Sequence, residues 1–403
     1  MCIHLAQTIS CKYTYKIKMF LTRDEEQILA GEFGEGKKKA MELLVALGDI
    51  YKAEKLIPIT SAHLSGVSYK TIGEGGISFL EEMSKDSKVC VPTTLNPPGM
   101  DREKWKGMGI SEHFADRQHK IISCYEKLGV TSNCSCTPYL DINIPKIGEH
   151  VSWAESSALS YVNSVIGAKT NREGGPGALA AAILGKTPEY GLHLSENRNP
   201  SILIDVKASD INYSVLGQAV GQLGGGRIPY FKGIKPTNDQ LKTLAAAMAA
   251  AGSVALFYVD GVTPVPADIS ETEKISIDDK DLQTVRDKMS SGDDPELIAL
   301  GCPHLSCEEI HSLASKLKGK SKKGDTEVWF CTSRCTAAKC KKDLDVLSKF
   351  GNVICDTCMI VTPIEERFKC TAVDSGKACN YLPTLCSQKV VFRDTDDLLE
   401  MIQ

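Results

Sequence analysis

The stretch that decides the fold is Leu-Ile-Ala-Leu-Gly-Cys-Pro-His-Leu-Ser-Cys-Glu-Glu, residues 297–309. Its first four residues form a short apolar run, which is typical of a strand buried in a parallel sheet. Ser306 and Glu309 have the spacing of a capping box, which predicts that a helix begins there. A strand followed at once by a helix is typical of an α/β fold, and it places Cys302 at the carboxyl end of the strand.

The same alternation of strands and helices continues on both sides of this stretch. Further strands are predicted at residues 55–60, 88–92, 130–136, 201–205, 254–259, 328–330 and 352–355. Helices are predicted at residues 22–55, 111–128, 216–223, 238–251 and 336–350, with Gly252 as the stop of the fourth. This order predicts an α/β protein with largely parallel sheets.

The length of 403 residues predicts two or three domains. No low-complexity linker separates them, and the rough divisions fall near residues 150–200 and within the acidic stretch 268–294. The fold is expected to begin at Met19, just before a Thr-x-x-Glu capping box. Residues 1–18 are then an N-terminal extension of no catalytic importance, and they lack the apolar core of a signal peptide.

Composition excludes several classes of function. A formal net charge of −4 gives no reason to expect a nucleic-acid partner or an anionic membrane. No apolar run approaches the roughly 18–20 residues that span a bilayer. The chain is therefore expected to be cytoplasmic, where its sixteen cysteines predict metal ligands, redox groups or buried thiols rather than a disulfide framework.

The position of the cysteines relative to the strands separates three of them from the rest. Ligands of open α/β sheets bind beyond the carboxyl ends of the strands. Cys136, Cys302 and Cys358 each lie where a predicted strand passes into a loop. Three thiolates from three loops could hold one cluster at a domain interface, although each could also be an inert buried thiol.

A zinc or redox site is the competing interpretation of the cysteines. Cys331, Cys335 and Cys340 form a dense group, and Cys355 and Cys358 form a lone CxxC pair. The spacing of the dense group matches neither ferredoxin runs nor paired zinc knuckles. No helix with a clear start follows the CxxC pair, which disfavours a redox site without excluding it.

Two polar loops after predicted strands are candidates for substrate binding. Gly66, Val67 and Ser68 follow the strand at 55–60, and Asn96 and Pro97 follow the strand at 88–92. Glycine lets a backbone approach a ligand closely, and free amides can bind an anion. Taken alone, each loop could equally be an ordinary turn.

Charged groups occur in two further segments. Glu155 and Ser156 lead into a polar stretch in which Arg172 could make a bidentate contact to a carboxylate. Lys377 follows Ser375 and Gly376 and could receive a phosphate. A nucleotide-binding loop is not expected there, because the required Ser or Thr after the lysine is Ala378.

The ordered set of motifs resembles the large subunit of the aconitase X family. The matching segments are 59–69, 95–101, 136–140, 153–157, 163–175, 191–193, 301–304, 356–359 and 374–377. The resemblance covers essentially everything from Met19 onward, with Lys169 and Cys379 as local departures. It implies an aconitase-like fold of three α/β domains around a cluster at their interface.

The resemblance also implies a cofactor and a partner. An iron–sulfur cluster, [4Fe-4S] with one open iron, would be bound by Cys136, Cys302 and Cys358, and a smaller cluster stays open. The catalytic serine base would come from a small swivelling-domain subunit, for which this chain, ending at Gln403, has no room. The large subunit alone is then expected to be inactive.

The activity that the resemblance implies is dehydration of a small hydroxy acid. Archaeal members with separate subunits convert (R)-5-phosphomevalonate to trans-anhydromevalonate 5-phosphate in a mevalonate route to isoprenoids. Two alternatives stay open at this point. One is dehydration of another acid such as cis-3-hydroxy-L-proline, and the other is a non-catalytic iron–sulfur or zinc scaffold subunit.

Overall fold

The predicted alternation of strands and helices is present in the computed structural model, which describes residues 19–270 and 272–403. The strands are β1 Leu56–Pro58, β2 Ala62–Leu64, β3 Thr93–Leu95, β4 Ser152–Trp153, β5 Lys186–Pro188, β6 Ile202–Val206, β7 Pro229–Lys232, β8 Tyr258–Val259, β9 Glu273–Ile277, β10 Leu297–Leu300, β11 Glu327–Thr332, β12 Asn352–Cys355, β13 Cys370–Val373 and β14 Lys389–Phe392. The predicted N-terminal extension, residues 1–18, lies outside the described residues.

The helices occur between these strands and cover the sheets. They are α1 Arg23–Leu29, α2 Glu35–Tyr51, α3 Tyr69–Met83, α4 Glu112–Lys127, α5 Ser156–Tyr161, α6 Gly175–Leu184, α7 Tyr213–Gly221, α8 Asn238–Gly252, α9 Asp279–Arg286, α10 Cys307–Leu317, α11 Arg334–Lys339, α12 Lys341–Leu347, α13 Gly376–Cys386 and α14 Thr395–Glu400. No helix within the described residues is both long and apolar enough to cross a membrane.

Three parallel sheets form the framework, and each comes from its own stretch of the chain. The first has the order β3-β2-β4, the second β8-β7-β6-β9 and the third β12-β11-β10-β13-β14. Strands β1 and β5 form a separate antiparallel pair. The prediction of an α/β fold with largely parallel sheets is confirmed.

Burial explains why these strands are apolar. Leu297–Leu300 are all buried, as expected for a central strand covered on both faces. In the first sheet, Ala62 and Leu64 pack into the core shared with α2, α3, α4 and α6. Because strand side chains alternate, His63 lies on the opposite face, beside Trp153.

Local signals were accurate at helix starts and less so along helices. The capping boxes of α1 and α10 are both present. The predicted helix 22–55 is two helices, because Gly31 and Gly34 adopt φ values of 90° and 100° between them. The predicted helix 336–350 is likewise divided into α11 and α12 at Cys340.

Three predicted strands differ from the structure. Residues 88–92 form no strand, and the strand begins at Thr93 instead. Residues 130–136 make a single bridge, between Thr131 and Thr94. Of residues 254–259, Tyr258 and Val259 alone are a strand, because the side chains of Asn163 and Ser164 bond the backbone of 255–257 in place of a neighbouring strand.

Gly252 was predicted to stop α8, and this prediction is wrong. The helix continues through Gly252, and Ser253 ends it in the left-handed conformation with φ 58°. Gly252 instead allows α7 and α8 to touch. A Cβ atom on Gly252 would lie 2.0 Å from the carbonyl oxygen of Gly221, and one on Gly217 would lie 2.6 Å from the Cβ of Ala247.

Substitution of Gly252 tests this close contact. Gly252→Ala should lower the free energy of unfolding by about 1–3 kcal/mol, since the methyl group must push two helices apart. Gly75→Ala is the matched control, because Gly75 lies in α3 with no atom within 4 Å of an added Cβ. It should stabilise by roughly 0.5–1 kcal/mol. Urea denaturation measures both, and equal effects would contradict the packing role.

The loop before α6 contains a buried acid without a partner. Glu173 is 7% exposed, and its Oε1 atom makes no hydrogen bond within the described structure. Burial raises the pKa of Glu173 from its ordinary value of 4.5 to about 7. The carboxyl group is therefore neutral in the folded protein under conditions that ionise it in the unfolded chain.

Because of Glu173, the stability of the folded protein should decrease as the pH rises. Below pH 4.5 both states are protonated, and between 4.5 and about 7 the unfolded state alone loses its proton, which favours unfolding by up to roughly 3 kcal/mol. Urea denaturation from pH 5 to 7.5 should show a smaller loss for Glu173→Gln than for the wild type. The exposed control Glu32→Gln should keep the wild-type slope, and parallel slopes in all three would refute the assignment.

Candidate active site

The carboxyl ends of the first sheet carry most of the predicted substrate-binding residues. Strands β2, β3 and β4 run parallel, so their ends meet at one edge. The loops that follow them contain, respectively, Gly66 to Ser68, Asn96 and Pro97, and Glu155 and Ser156. These three loops, widely separated in sequence, are thereby brought together.

An ion pair between Glu155 and Lys377 occupies the centre of this edge. Lys377 Nζ donates to Glu155 Oε1 and, at 3.2 Å, to Ser157 Oγ. Asn96 Nδ2 donates to Glu155 Oε2 at 2.8 Å. Burial alone would raise the pKa of Glu155, but Lys377 and the hydrogen bonds from Ser157 lower it to about 2. The carboxylate is therefore ionised and fully engaged.

Lys377 connects the first sheet to the third. It lies in the first turn of α13, after β13 and the capping residue Ser375. Burial alone would lower the pKa of Lys377, but Glu155 and the thiols of Cys302, Cys136 and Cys358 raise it above its ordinary value. The buried ammonium group therefore pairs with one carboxylate and interacts electrostatically with three cysteines.

The three cysteines selected from the sequence all interact electrostatically with this ammonium group. Burial raises the pKa of the Cys302 thiol to about 12, and that of Cys136 and Cys358 above the ordinary value, while Lys377 opposes the rise in all three. The negative charge of an ionised Cys358 would also raise the pKa of the Cys136 and Cys302 thiols. All three are free thiols, and they come from loops of the first and third sheets.

Loop contacts hold two of these cysteines in place. Cys136 Sγ accepts a 3.2 Å hydrogen bond from the backbone of His304. Cys358 donates its backbone N–H to Pro98 at 3.1 Å. Ser68 Oγ donates to the carbonyl of Val361 at 2.7 Å. The two predicted substrate loops therefore pack directly against the loop that carries Cys358.

The second sheet's helices support the same region through Lys242. This lysine of α8 is buried and pairs with Glu309, the acidic member of the capping box of α10. Its Nζ also donates to the carbonyl of His304 at 3.1 Å, in the loop after Cys302. A cavity of about 270 Å³ lies beside Cys302 and is lined by Lys242, Glu309 and Ser375 among others.

Sequence patterns missed His63, which belongs to this polar network. Its Nδ1 lies 2.9 Å from Thr94 Oγ1 and its Nε2 lies 3.4 Å from Asn96 Oδ1. Burial lowers the pKa of His63 to about 4, although Glu155 opposes this, so the ring is neutral near pH 7. The signal was available, because a histidine between buried Ala62 and Leu64 must face away from their core.

Other supporting groups were also missed. Ser157 bonds both members of the central ion pair, and Ser375 lowers the pKa of the Cys302 thiol against the effect of burial. Both serines lie within the matching segments 153–157 and 374–377, but neither was selected as a site residue.

The remaining predicted residues have different surroundings. Arg172 Nη1 donates to the carbonyl of Ala249 in α8 at 3.1 Å, which joins it to the second sheet's helices rather than to Glu155. Ser156 Oγ reaches Glu155 at 3.4 Å. The carbonyl of Val67 accepts from Gln118 at 2.7 Å, Pro97 is buried, and Gly66 has a φ of 79°.

Within the described ranges, no group of three or more His, Cys, Asp or Glu side chains is placed to hold a metal ion. Cys331 is buried in the core against which Cys302 and Cys358 pack. Cys340 is also buried, and its neighbour Cys307 raises the pKa of its thiol.

Comparison with known proteins identifies the family. Models described as the first, second and third domains of aconitase X match residues 18–196, 200–287 and 295–403. The phosphomevalonate dehydratase large subunit of Methanothermobacter thermautotrophicus is 48% identical, over 95% of this chain and 98% of that protein. A cis-3-hydroxy-L-proline dehydratase of Hypocrea jecorina is 33% identical, over 94% of this chain and 68% of that protein.

A solved structure agrees with this result. The crystal structure of Thermococcus kodakaraensis aconitase X in its holo-form superposes with a TM-score of 0.89 at 43% identity, covering 96% of this chain and all of that one. Family models thus match nearly the whole described chain, and the fold and the sequence agree. The chain belongs to the aconitase X family, whose aconitase-like character implies an iron–sulfur cluster.

Proposed function

We propose that this chain is the large subunit of a phosphomevalonate dehydratase. The enzyme removes water from (R)-5-phosphomevalonate and forms trans-anhydromevalonate 5-phosphate, in a mevalonate route to isoprenoids. The observation that carries the proposal is the electrostatic interaction of Cys136, Cys302 and Cys358 with Lys377, which pairs with Glu155. Its substrate is inferred from the relative of 48% identity, which matches almost end to end.

The proposed cofactor is a [4Fe-4S] cluster held by Cys136, Cys302 and Cys358. Three protein thiolates leave one iron open, and when bound the cluster supplies a Lewis acid for departure of the hydroxyl group. The thiols need a nearby cation to ionise at neutral pH, because burial disfavours their charged forms. Lys377 is the cation that the structure provides beside all three.

The residues of this chain orient the substrate and do not supply the base. Glu155 has a pKa of about 2, so it is a weak proton acceptor, and Lys377 and Asn96 already occupy its oxygens. Asn96 and Ser156 contact Glu155 and would orient the substrate, together with Gly66, Val67, Ser68 and Pro97 of the neighbouring loops. The proton is then removed by a serine of a small swivelling-domain subunit that closes over this edge.

A second candidate substrate is cis-3-hydroxy-L-proline. It is favoured by the Hypocrea jecorina relative, of which this chain covers only 68%. That extra length is consistent with a protein that carries both parts of the site in one chain. The better coverage of the archaeal large subunit, at 98%, makes the phosphorylated substrate the first choice.

Replacement of the three cysteines tests the cluster. Cys136→Ala, Cys302→Ala and Cys358→Ala should each lose most of the bound iron and sulfide after anaerobic reconstitution, since a cluster with two thiolate ligands is poorly held. Cys124→Ala is the control, because Cys124 is a free, buried thiol that lies on α4. Iron and sulfide analysis with the visible absorption spectrum measures the result. Full iron content in any of the three variants would refute its assignment.

Activity of the assembled enzyme tests the substrate. The chain, purified anaerobically with the small subunit of the Methanothermobacter thermautotrophicus enzyme, should dehydrate (R)-5-phosphomevalonate, and the chain alone should be inactive because it lacks the base. Product formation is followed by mass spectrometry, with cis-3-hydroxy-L-proline assayed in parallel. A higher kcat/KM for hydroxyproline would favour the second candidate, and turnover of neither by an iron-loaded complex would favour a scaffold role.

A further inference from the structure

His304 links the loops that carry the three predicted cluster ligands. It lies two residues after Cys302, in the loop that follows β10. Its backbone N–H donates to Cys136 Sγ at 3.2 Å. Its ring Nε2 lies 2.8 Å from the carbonyl oxygen of Thr357, the residue that precedes Cys358. A single residue of the third sheet's loops therefore contacts the segments that carry the other two thiols.

The ring of His304 donates the hydrogen bond to Thr357. A carbonyl oxygen can only accept, so Nε2 must carry the proton. His304 is 1% exposed and Thr357 is fully buried, so solvent would not replace this bond if the donor were removed. The other ring nitrogen, Nδ1, is buried without a hydrogen-bond partner among the described residues. The contact therefore depends on Nε2.

This bond holds one edge of the peptide group between Thr357 and Cys358. On the opposite edge, the backbone N–H of Cys358 donates to the carbonyl of Pro98 at 3.1 Å. Because a peptide group is planar, hydrogen bonds at both its C=O and its N–H fix its orientation. The direction in which the chain enters Cys358 is therefore set jointly by His304, from the third sheet, and by a loop of the first sheet.

The backbone contacts of His304 do not require a histidine. Any residue except proline could donate its N–H to Cys136, and any residue could offer the carbonyl that accepts from Lys242 Nζ at 3.1 Å. The bond to Thr357 instead needs a side chain with a donor at the reach of Nε2. Glutamine carries an amide N–H at that reach, whereas asparagine carries the same amide on a shorter side chain.

We propose that His304 is a positioning residue for the cluster. Its ring orients the peptide group before Cys358, while its backbone holds the thiol of Cys136. This inference rests on the proposed function, in which Cys136, Cys302 and Cys358 bind the cluster. It extends that function by assigning the spacing of the ligands to a residue that is neither a ligand nor a substrate contact. Removal of the ring should loosen Cys358 and leave the bond to Cys136 in place.

Amide hydrogen exchange of the full-length chain before cluster reconstitution tests the positioning itself. His304→Leu should speed exchange of the Cys358 N–H by about tenfold, because a peptide group held at one edge opens more readily. His304→Gln should exchange at close to the wild-type rate, because its amide can reach the carbonyl of Thr357, whereas His304→Asn should behave like His304→Leu. Mass spectrometry of peptides that cover residues 356–361 measures the rates.

Iron release from the anaerobically reconstituted chain tests the consequence for the cluster. His304→Leu and His304→Asn should lose iron to a chelator about tenfold faster than the wild type and His304→Gln. Their reduced clusters should also give an altered electron paramagnetic resonance spectrum, because the geometry at Cys358 has changed. A fall in global stability alone would leave that spectrum as it is in the wild type.

His193→Leu is the matched control. His193 is a histidine of 2% exposure whose Nδ1 lies 2.9 Å from His150 Nδ1 and whose Nε2 has no partner within the described structure. Its removal measures the general effect of losing a buried imidazole. The variant should keep the wild-type exchange rate at Cys358, the wild-type rate of iron release and the wild-type spectrum.

Each contrary result has a distinct meaning. Wild-type exchange and iron release in both His304→Leu and His304→Asn would overturn the positioning role while leaving the proposed function intact. Equal impairment in His304→Gln or in His193→Leu would also overturn it, since the effect would then be one of general stability. If the unaltered chain binds no iron, the proposed function fails, and the exchange rates still decide whether His304 orients Cys358. If His304→Leu does not fold, the comparison of His304→Gln with His304→Asn decides instead.

Discussion

The buried ion pair of Lys377 and Glu155 is the interaction on which the rest of the site depends. It joins the edge of the first sheet to the first turn of α13, across 222 residues of sequence. Burying two charges is costly, and removing one partner of such a pair typically costs about 3–5 kcal/mol because the other charge is left uncompensated. The same ammonium group opposes the rise in pKa that burial causes in each of the three thiols. The buried pair therefore also influences how readily these thiols ionise.

A second buried pair repeats this logic from the other side. Lys242 of α8 binds Glu309 and the backbone of His304, and His304 donates its own N–H to Cys136. The loop after β10 belongs to the third sheet and carries the thiol of Cys302. It is therefore held in place by a helix of the second sheet. Cysteines from different loops can keep a fixed spacing only if the units that carry them cannot shift, and the two lysines provide that restraint.

Local signals in the sequence were sufficient to predict the fold class and to select candidate cysteines. Residues 297–309 specify a strand, a turn and a capped helix, and all three are present. The rule that ligands bind at strand ends then selected Cys302 as a candidate ligand without any long-range information, and its role as a ligand stays a prediction. The close packing of Gly252 on Gly221 was not predictable in this way, because a helix stop and a helix contact favour the same residue.

The pairing of Glu155 with Lys377 could not be derived from pattern, because periodicity describes neighbours along the chain and not partners across it. The same limit explains the missing strand at residues 254–257. Their apolar composition favours a strand, but the side chains of Asn163 and Ser164 satisfy the backbone there. Side-chain hydrogen bonds of this kind override propensity and leave no signature in the segment that they affect.

The electrostatics of Glu155 and His63 argue against either group as the general base of the proposed dehydration. A general base works best when its pKa lies near the working pH, whereas Glu155 is held at about 2 and His63 at about 4. For Glu155, Lys377 and the hydrogen bonds from Ser157 outweigh the effect of burial, and for His63 burial outweighs the effect of Glu155. The ion pair beside the thiols therefore removes its own carboxylate from use as a base. Under the proposed function, a base from a separate subunit would act without placing another titratable group among the cysteines.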